Sequence, residues 1–370
     1  MSKVFILYQS FYDLQGKELT IGGIQTYIKQ LCSLIIKIDL IPIIVQYAEI
    51  KFHNKYNEID VFGIEVSRNK NTKGKSKILL NYVEKQFDKK DIIIFASETI
   101  SVSVKFTKNI IAIQHGITWD MPKYNRKYYI LEIIHKSILS YFQISRIRNI
   151  HNLVCVDYNF INWIRTQLYQ VDNNLIAIPN CTEIKNNLPS KNKENIKIIF
   201  ARRFELYRGT RLFTGAIKTI LDQHDNIEVT FAGTGPDMNF LKKSFENNPK
   251  VSFITYKPEE SFEIHEKHHI SVIPTLGSEG TSLSMLEAMA SKCAVIGTNV
   301  GGMTNIILDH YNGLLINPDK NELIEALEKL ITDRVFRERI AENGYKTVSE
   351  AFNIDLWEEK WTAVLKTFIN

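Results

Sequence analysis

Cysteine is scarce: Cys32, Cys155, Cys181 and Cys293 are scattered with no Cys-x-x-Cys pair, which excludes a disulfide framework and a zinc knuckle. Long apolar runs are missing as well. Stretches such as Val4 to Tyr8 and Ile92 to Phe95 are far too short to span a bilayer. Met1-Ser2-Lys3 followed by one strand-like run lacks the apolar centre of a secretory leader, so a cytoplasmic protein with reduced thiols is expected. Nor is charge of one sign in excess. Lys and Arg number 46 against 41 Asp and Glu, a formal net charge of +5 with the two signs interspersed, and no nucleic-acid partner is expected. What is present, 44% hydrophobic and 24% charged residues over 370 positions, describes a globular chain with material for two cores.

Short Ile/Val/Phe-rich runs alternate with longer helical patterns from end to end, as βαβ units and parallel sheets require. The first half predicts strands at Val4 to Gln9, Ile43 to Tyr47, Ile92 to Ala96, Ile110 to Gln114, Leu153 to Val156 and Leu175 to Ile178. Helices are predicted at Ile24 to Lys37 and Phe160 to Tyr169. Cys181 to Asn195, rich in Asn, Lys and Pro, lacks periodicity and reads as a linker. The pattern then restarts. Strands are predicted at Ile196 to Phe200, Ile227 to Phe231, Val251 to Ile254, Ile270 to Ile273 and Ala294 to Gly297, with helices at Thr210 to Leu221, Asp237 to Phe245 and Ser284 to Ala290. Beyond Asn321 the chain is mostly helical, and Trp357, Trp361, Leu365 and Phe368 put an apolar stripe on a final helix from Ile354 to Ile369.

Four segments sit where doubly wound domains collect ligands, at the C-terminal ends of strands. Glu279 and Glu287 bracket the run Gly280-Thr281-Ser282-Leu283-Ser284, which leads from a loop into a helix. Free backbone N–H groups and the positive end of the helix dipole suit a phosphate there. Alone, the run also fits a capped surface helix. Arg203 and Arg208 flank one loop, and their guanidinium groups suit the paired oxygens of a diphosphate, although a solvated basic loop would read the same. Gly233 and Gly235 form a strand-end turn without the third glycine of a dinucleotide fingerprint, and Gly22 and Gly23 stand at the mouth of the first long helix.

In this order the motifs resemble a retaining glycosyltransferase of the GT-B fold, similar to glycosyltransferase family 4, over roughly Val4 to Leu315. The resemblance implies two Rossmann-like doubly wound domains facing across a cleft: an acceptor-side domain at 1–182, a donor-binding domain at 183–352, and a C-terminal helix at 353–370 packing back on the first. It further implies transfer of a sugar from an NDP-sugar to a saccharide or lipid-linked saccharide, in bacterial surface polysaccharide or glycoconjugate synthesis. Glu287 would bind the ribose, Glu279 a hydroxyl of the transferred sugar, and the amides of Leu283 and Ser284, beside Thr281 and Ser282, the diphosphate. Arg203 and Arg208 would neutralise the leaving group in place of a metal, and no Asp-x-Asp motif occurs; no cofactor is expected. His115, in Gln114-His115-Gly116, would reach the donor sugar, or else be a satisfied loop histidine. No protein nucleophile is nominated. Cys181 stands where the family usually has Gly, and Asn305 where Glu is common.

Two further segments need weighing. His265-Glu266-Lys267-His268-His269 fits the His-Glu-x-x-His zinc pattern, but a strand begins at once and no third ligand stands at a recognised spacing. Tyr124 to Asn149 crowds aromatic, branched and basic residues into a helical stretch, which suits either peripheral contact with an anionic membrane at the cell's inner face or an ordinary core-facing helix. A nucleotide-sugar epimerase of the same fold and a non-catalytic nucleotide-sugar-binding protein stay open as alternatives.

Overall fold

The computed structural model describes residues 1–120, 129–148, 150–167, 174–191, 195–277 and 279–369. The chain forms two compact units, the first comprising Met1–His115, Asn125–Ile178 and Glu358–Asn370, the second Gly116–Tyr124 and Pro179–Trp357.

In the first unit the elements run β1 (Lys3–Tyr8), α1 (Gly23–Lys37), β2 (Ile41–Ala48), β3 (Phe52–Tyr56), β4 (Ile59–Glu65), α2 (Thr72–Glu84), β5 (Ile92–Phe95), β6 (Ile110–Gln114), α3 (Tyr129–Ile147), β7 (Asn152–Cys155), α4 (Tyr158–Gln167) and β8 (Asn174–Ala177). Eight strands order as β3-β4-β2-β1-β5-β6-β7-β8, all parallel except the β3/β4 pair. Val4 to Leu7 on β1 and Ile92 to Phe95 on β5 are wholly buried, the continuous apolar runs that a sheet covered on both faces demands. Helix α1 turns Tyr27, Ile28, Leu31 and Ile35 inward.

The β3/β4 hairpin and α2 have no counterpart in the expectation from sequence. Strand β3, with the sequence FHNKY, alternates half-exposed and exposed residues, and an edge strand of this kind carries no Ile/Val run to announce it. Helix α2 opens on KGKSK and is held at its start by the Asn71 side chain accepting from the Gly74 amide at 2.8 Å, a cap that a lysine-rich stretch conceals. The predicted helix Phe160 to Tyr169 is α4, its last two positions lying outside the described residues, as do Tyr124 to Tyr128 and Asn149 of the aromatic and basic segment. Residues 192–194 of the predicted linker also lie outside them.

The second unit runs β9 (Ile196–Ala201), α5 (Thr210–Gln223), β10 (Ile227–Ala232), α6 (Met238–Ser244), β11 (Val251–Ile254), α7 (Ser261–His265), β12 (Ile270–Ile273), α8 (Leu283–Ala290), β13 (Ala294–Thr298), β14 (Leu314–Ile316), α9 (Lys320–Thr332), α10 (Arg334–Ala351) and α11 (Ile354–Lys366). Its six parallel strands order as β11-β10-β9-β12-β13-β14. The chain winds outward from β9, then returns to its other side at β12, so the strand order reverses between β9 and β12. That reversal leaves a crevice at the strands' carboxyl ends. Phe200, Phe204, Phe213 and Phe231 are fully buried beneath the sheet, with Phe200 and Phe213 stacked at 5.2 Å between centroids.

Helix α11 starts in the second unit and, from Glu358 onward, belongs to the first. Its apolar stripe is why: Trp361 and Leu365 are fully buried, and Trp361 Nε1 donates to the Tyr27 hydroxyl of α1 at 2.8 Å. Lys37 at the end of α1 pairs with Glu358. Replacing Trp361 by Ala should destabilise the protein by about 3–5 kcal/mol, read as a lowered urea midpoint. An unchanged midpoint would mean that this stripe contributes nothing to the first unit's core.

Candidate active site

The crevice between β9 and β12 is built by loops that glycines allow to touch. After β9, the backbone of Arg202 to Phe204 lies against the turn after β10, and a Cβ on Gly233 (φ +141°) would fall 2.2 Å from the Arg202 carbonyl oxygen. One on Gly235 (φ +157°) would meet the Phe204 oxygen at 2.4 Å. These two glycines therefore serve the packing of one loop on another. The same holds at Gly209 (φ +80°), whose Cβ would lie 1.8 Å from the Pro274 oxygen; it closes the arginine loop and opens α5.

Into this crevice project side chains from both strand ends. Arg202 is buried, donating from Nη2 to Glu279 Oε2 at 2.6 Å and from Nη1 to Thr275. Arg208 donates from Nη1 to the same Glu279 oxygen, and its guanidinium lies 4.8 Å from the Tyr207 ring centre. Thr275 Oγ1 donates to Glu279 at 3.0 Å. Burial alone would push the Glu279 carboxyl up, but the charges of Arg202 and Arg208 outweigh it and hold the group down at about 2. The trio carries a net positive charge, and most guanidinium N–H donors are left over for a ligand.

The arginine pair is thus Arg202 and Arg208, and the expectation of Arg203 beside Arg208 is corrected. Arg203 keeps 67% of its side chain exposed and pairs with its neighbour Glu205 at 2.5 Å. Both arginines lie in the loop just beyond β9, where the packing of that loop turns Arg202 toward Glu279 and leaves Arg203 outside, and the spacing to Arg208 does not say which.

Eight residues beyond Glu279, Glu287 occupies a contrasting setting inside α8. Burial raises its pKa, and Ser261 Oγ at the start of α7, donating to Oε2 at 2.5 Å, is the group opposing that shift. Two carboxylates of one motif are thereby set apart: one fixed as an anion, the other biased toward its neutral form. Between them, Thr281 and Ser282 are buried, with the Thr281 carbonyl held by the Asn180 amide at 2.6 Å. Leu283 and Ser284 open α8, where the first amides of a helix have no acceptor within it. Gly301 (φ +56°) and Gly302 clamp this loop. A Cβ on Gly301 would sit 2.1 Å from the Glu279 backbone carbonyl oxygen, and the Gly302 amide donates to that carbonyl at 2.8 Å.

In the first unit the remaining expected residues cluster at the corresponding edge. Gly22 and Gly23 begin α1 without a side-chain cap. His115 follows β6; its Nε2 donates to the Ala96 carbonyl at 2.7 Å, its ring stands edge-on to Tyr27 at 5.3 Å, and burial lowers its pKa to about 4. It is a neutral imidazole at pH 7, fixed as the Nε2–H tautomer. Beside it Gln114 is fully buried with neither polar side-chain atom partnered among the described residues, a feature without any signature in sequence.

The His-Glu-x-x-His segment folds as ordinary structure. His265 ends the short helix α7 and bonds the Ser261 carbonyl at 2.8 Å, His268 spans the Ile264 carbonyl and Thr230, and His269 accepts from the Lys197 amide at 3.1 Å. Among the described residues no three His, Cys, Asp or Glu side chains gather as a metal site requires.

Residues 182–347 match the family described as Glycosyl transferases group 1. That segment, 182–347, is similar to the group 1 glycosyl transferases. Across 224 residues it is 24% identical to the capsular polysaccharide biosynthesis glycosyltransferase CapM of Staphylococcus aureus, covering 59% of this chain and 56% of that one. The chain spans about half the length of the curated relatives it matches. Its fold is that of GT-B glycosyltransferases. Sucrose-phosphate synthase from Thermosynechococcus elongatus superposes with a TM-score of 0.77 at 14% identity over 99% of both chains. A TarM variant of S. aureus, in complex with Fondaparinux, alpha-GlcNAc-glycerol and UDP, gives 0.74 at 14% identity over 99% of this chain and 100% of that one. The two arginines and two glutamates lie within the group 1 segment.

Removing Arg202 takes away one of the two guanidinium partners of a buried carboxylate, so Arg202→Ala should cost about 3 kcal/mol of stability, whereas Arg203→Ala should change it by less than about 0.5 kcal/mol. Chemical denaturation of the two variants reads the difference, and equal effects would remove the distinction. The pH dependence is fixed in sign. The two arginines hold the Glu279 carboxyl down at about 2 in the folded protein, below its ordinary 4.5, so its stabilisation is complete above pH 4.5 and is lost as pH falls toward 2.

Proposed function

We propose that the protein transfers a sugar from a nucleoside diphosphate sugar to a saccharide or lipid-linked saccharide, retaining anomeric configuration and needing no metal, in the synthesis of a surface polysaccharide or glycoconjugate. The observation that carries this reading is the Glu279 carboxylate held by Arg202 and Arg208 at the carboxyl end of β9 and β12, next to the open amides of α8. Relatives named for capsular polysaccharide synthesis and a structural neighbour holding UDP favour it. Because nucleotide sugars are cytoplasmic compounds, the reaction is assigned to that side of the membrane.

In this reading the diphosphate lies on the amides of Leu283 and Ser284, with the leftover N–H groups of Arg202 and Arg208 on its oxygens. Glu287 accepts from the ribose hydroxyls, and Glu279, pinned by the arginines, presents its other oxygen to the transferred sugar. During transfer the bond from the anomeric carbon to the phosphate oxygen breaks, the acceptor oxygen bonds to that carbon on the same face, and the acceptor proton passes to the departing phosphate. Charge builds on the leaving diphosphate, so arginines fixed in advance stabilise the transition state beyond the ground state. His115, neutral and tethered to Ala96, acts as a positioning group and not as a base.

Incubation with UDP-, GDP- and dTDP-sugars tests the reading. Release of nucleotide that rises with an added saccharide acceptor supports it; a changed sugar epimer would instead indicate an epimerase, and heat protection without turnover a binding protein. Arg208→Ala should lower kcat by about 100-fold, with a smaller change in KM, and wild-type activity should persist in EDTA. Activity abolished by EDTA and restored by magnesium would overturn the assignment of the charge-stabilising role to the arginines.

A further inference from the structure

Three elements of the second unit meet at Ser261, the first residue of α7. Its hydroxyl donates to Glu287 Oε2 in α8 at 2.5 Å, and the Tyr256 phenol, in the loop after β11, is hydrogen-bonded to the same serine. A serine hydroxyl carries one hydrogen. With that hydrogen committed to Glu287, Ser261 Oγ can only accept from Tyr256, so the bonds run one way, from Tyr256 to Ser261 to Glu287. His265, one turn further along α7, bonds the Ser261 carbonyl through Nδ1 at 2.8 Å and holds the serine in place at the helix start. The first histidine of the run that mimics a zinc motif is thereby occupied in placing this serine.

Accessibility separates the roles. Ser261 is 4% exposed and His265 not at all, whereas Glu287 is only half-buried. A ligand can therefore meet the carboxylate but not the serine behind it. Burial raises the Glu287 pKa, the Ser261 hydroxyl opposes the shift, and no cation pairs with the carboxylate among the described residues. For stability alone a neutral side chain would serve better in such a place. Glu279 shows the contrast, with two guanidinium groups on one oxygen. A charge kept without a counterion, and braced by a hydroxyl that itself receives a hydrogen bond, is arranged to accept from a donor outside the protein. The charge-assisted bond from Ser261 also fixes the rotation of the carboxylate, leaving Oε1 and one lone pair of Oε2 for that donor.

We propose that Ser261, backed by Tyr256, is a positioning residue that aims the Glu287 carboxylate at the two neighbouring hydroxyls of a ribose, and so sets a preference for ribonucleotides over their 2′-deoxy counterparts. This rests on the reading of Glu287 as the ribose acceptor and adds the origin of its selectivity. A ribose presents adjacent 2′- and 3′-hydroxyls, two donors for two oxygens. A 2′-deoxyribose presents one, and leaves an oxygen of a desolvated carboxylate unpaired.

Calorimetric titration of the full-length protein with UDP and GDP, each beside its 2′-deoxy form, tests this. Wild type should prefer the ribonucleotide. Ser261→Ala should weaken the ribonucleotide by about tenfold and the deoxy form by less than about threefold, whereas damage to α7 would weaken both alike. The ratio of the two affinities cancels titration of the phosphates and gives a pH readout. Because Ser261 holds the Glu287 pKa down, that ratio should begin to fall at a higher pH in Ser261→Ala than in wild type as the solution is acidified. The titratable groups facing Glu287 from the neighbouring elements do not supply this shift: burial raises the Tyr256 pKa, with Arg202 beside it, and lowers that of His265 to about 4, so both stay neutral. Should Ser261→Ala fail to fold, Tyr256→Phe removes only the outer bond and should lower the ratio in the same direction by a smaller factor. No preference in wild type, equal weakening of both nucleotides, or an unmoved pH profile would overturn the proposal while leaving nucleotide binding itself intact. Wild type that binds neither UDP nor GDP would instead overturn the reading of the site, and this proposal with it.

Discussion

Glu279 can be buried as an anion only because two guanidinium groups and a hydroxyl converge on it. Arg202 and Arg208 come from the loop after β9, Thr275 and Glu279 from the loop after β12. The carboxylate thus ties together the two strands at which the sheet order reverses. Other local choices follow from that knot. Gly209 must be glycine for the arginine loop to lie on Pro274, Gly233 and Gly235 for the next turn to lie on Arg202 and Phe204, and Gly301 for the following turn to close on the backbone of Glu279 itself. A desolvated charge is tolerable where its partners are fixed before any ligand arrives, and a fixed cationic crevice is also what a diphosphate leaving group needs. Stability and the proposed chemistry draw on one arrangement.

Buried titratable groups elsewhere follow the opposite logic. His115, His265 and His268 are each lowered to about 4 by burial and each spend a ring nitrogen on a backbone carbonyl. Glu98, beneath α3, is raised to about 7 by burial despite its bond from Gln143. None of them has the paired opposite charge that Glu279 enjoys at hydrogen-bonding distance. Charge is retained in the interior where arginines surround it and is given up where they do not.

Periodicity in the sequence determined the architecture. Ile-, Val- and Phe-rich runs could only be interior parallel strands, the pattern restarting near Ile196 implied a second sheet, and the tryptophan stripe of the last helix required a core to enter. Glu279, Glu287 and Arg208 were legible because their spacing around a strand end and a helix start restricts where they can point. What the sequence did not determine was orientation about an axis. Of the neighbours Arg202 and Arg203, only the packed loop decided which turns toward Glu279. Gly233 and Gly235 looked free to approach a ligand, but tertiary contact had already committed them to a neighbouring loop. Helix α3 has the same composition whichever way it is rotated, and only its anchor between Gln143 and Glu98 turned Ile134, Ile138, Tyr141 and Phe142 outward. Local patterns fix an element's type because propensity and periodicity act within it; the face it presents is set by partners far away in the chain, which no local pattern records.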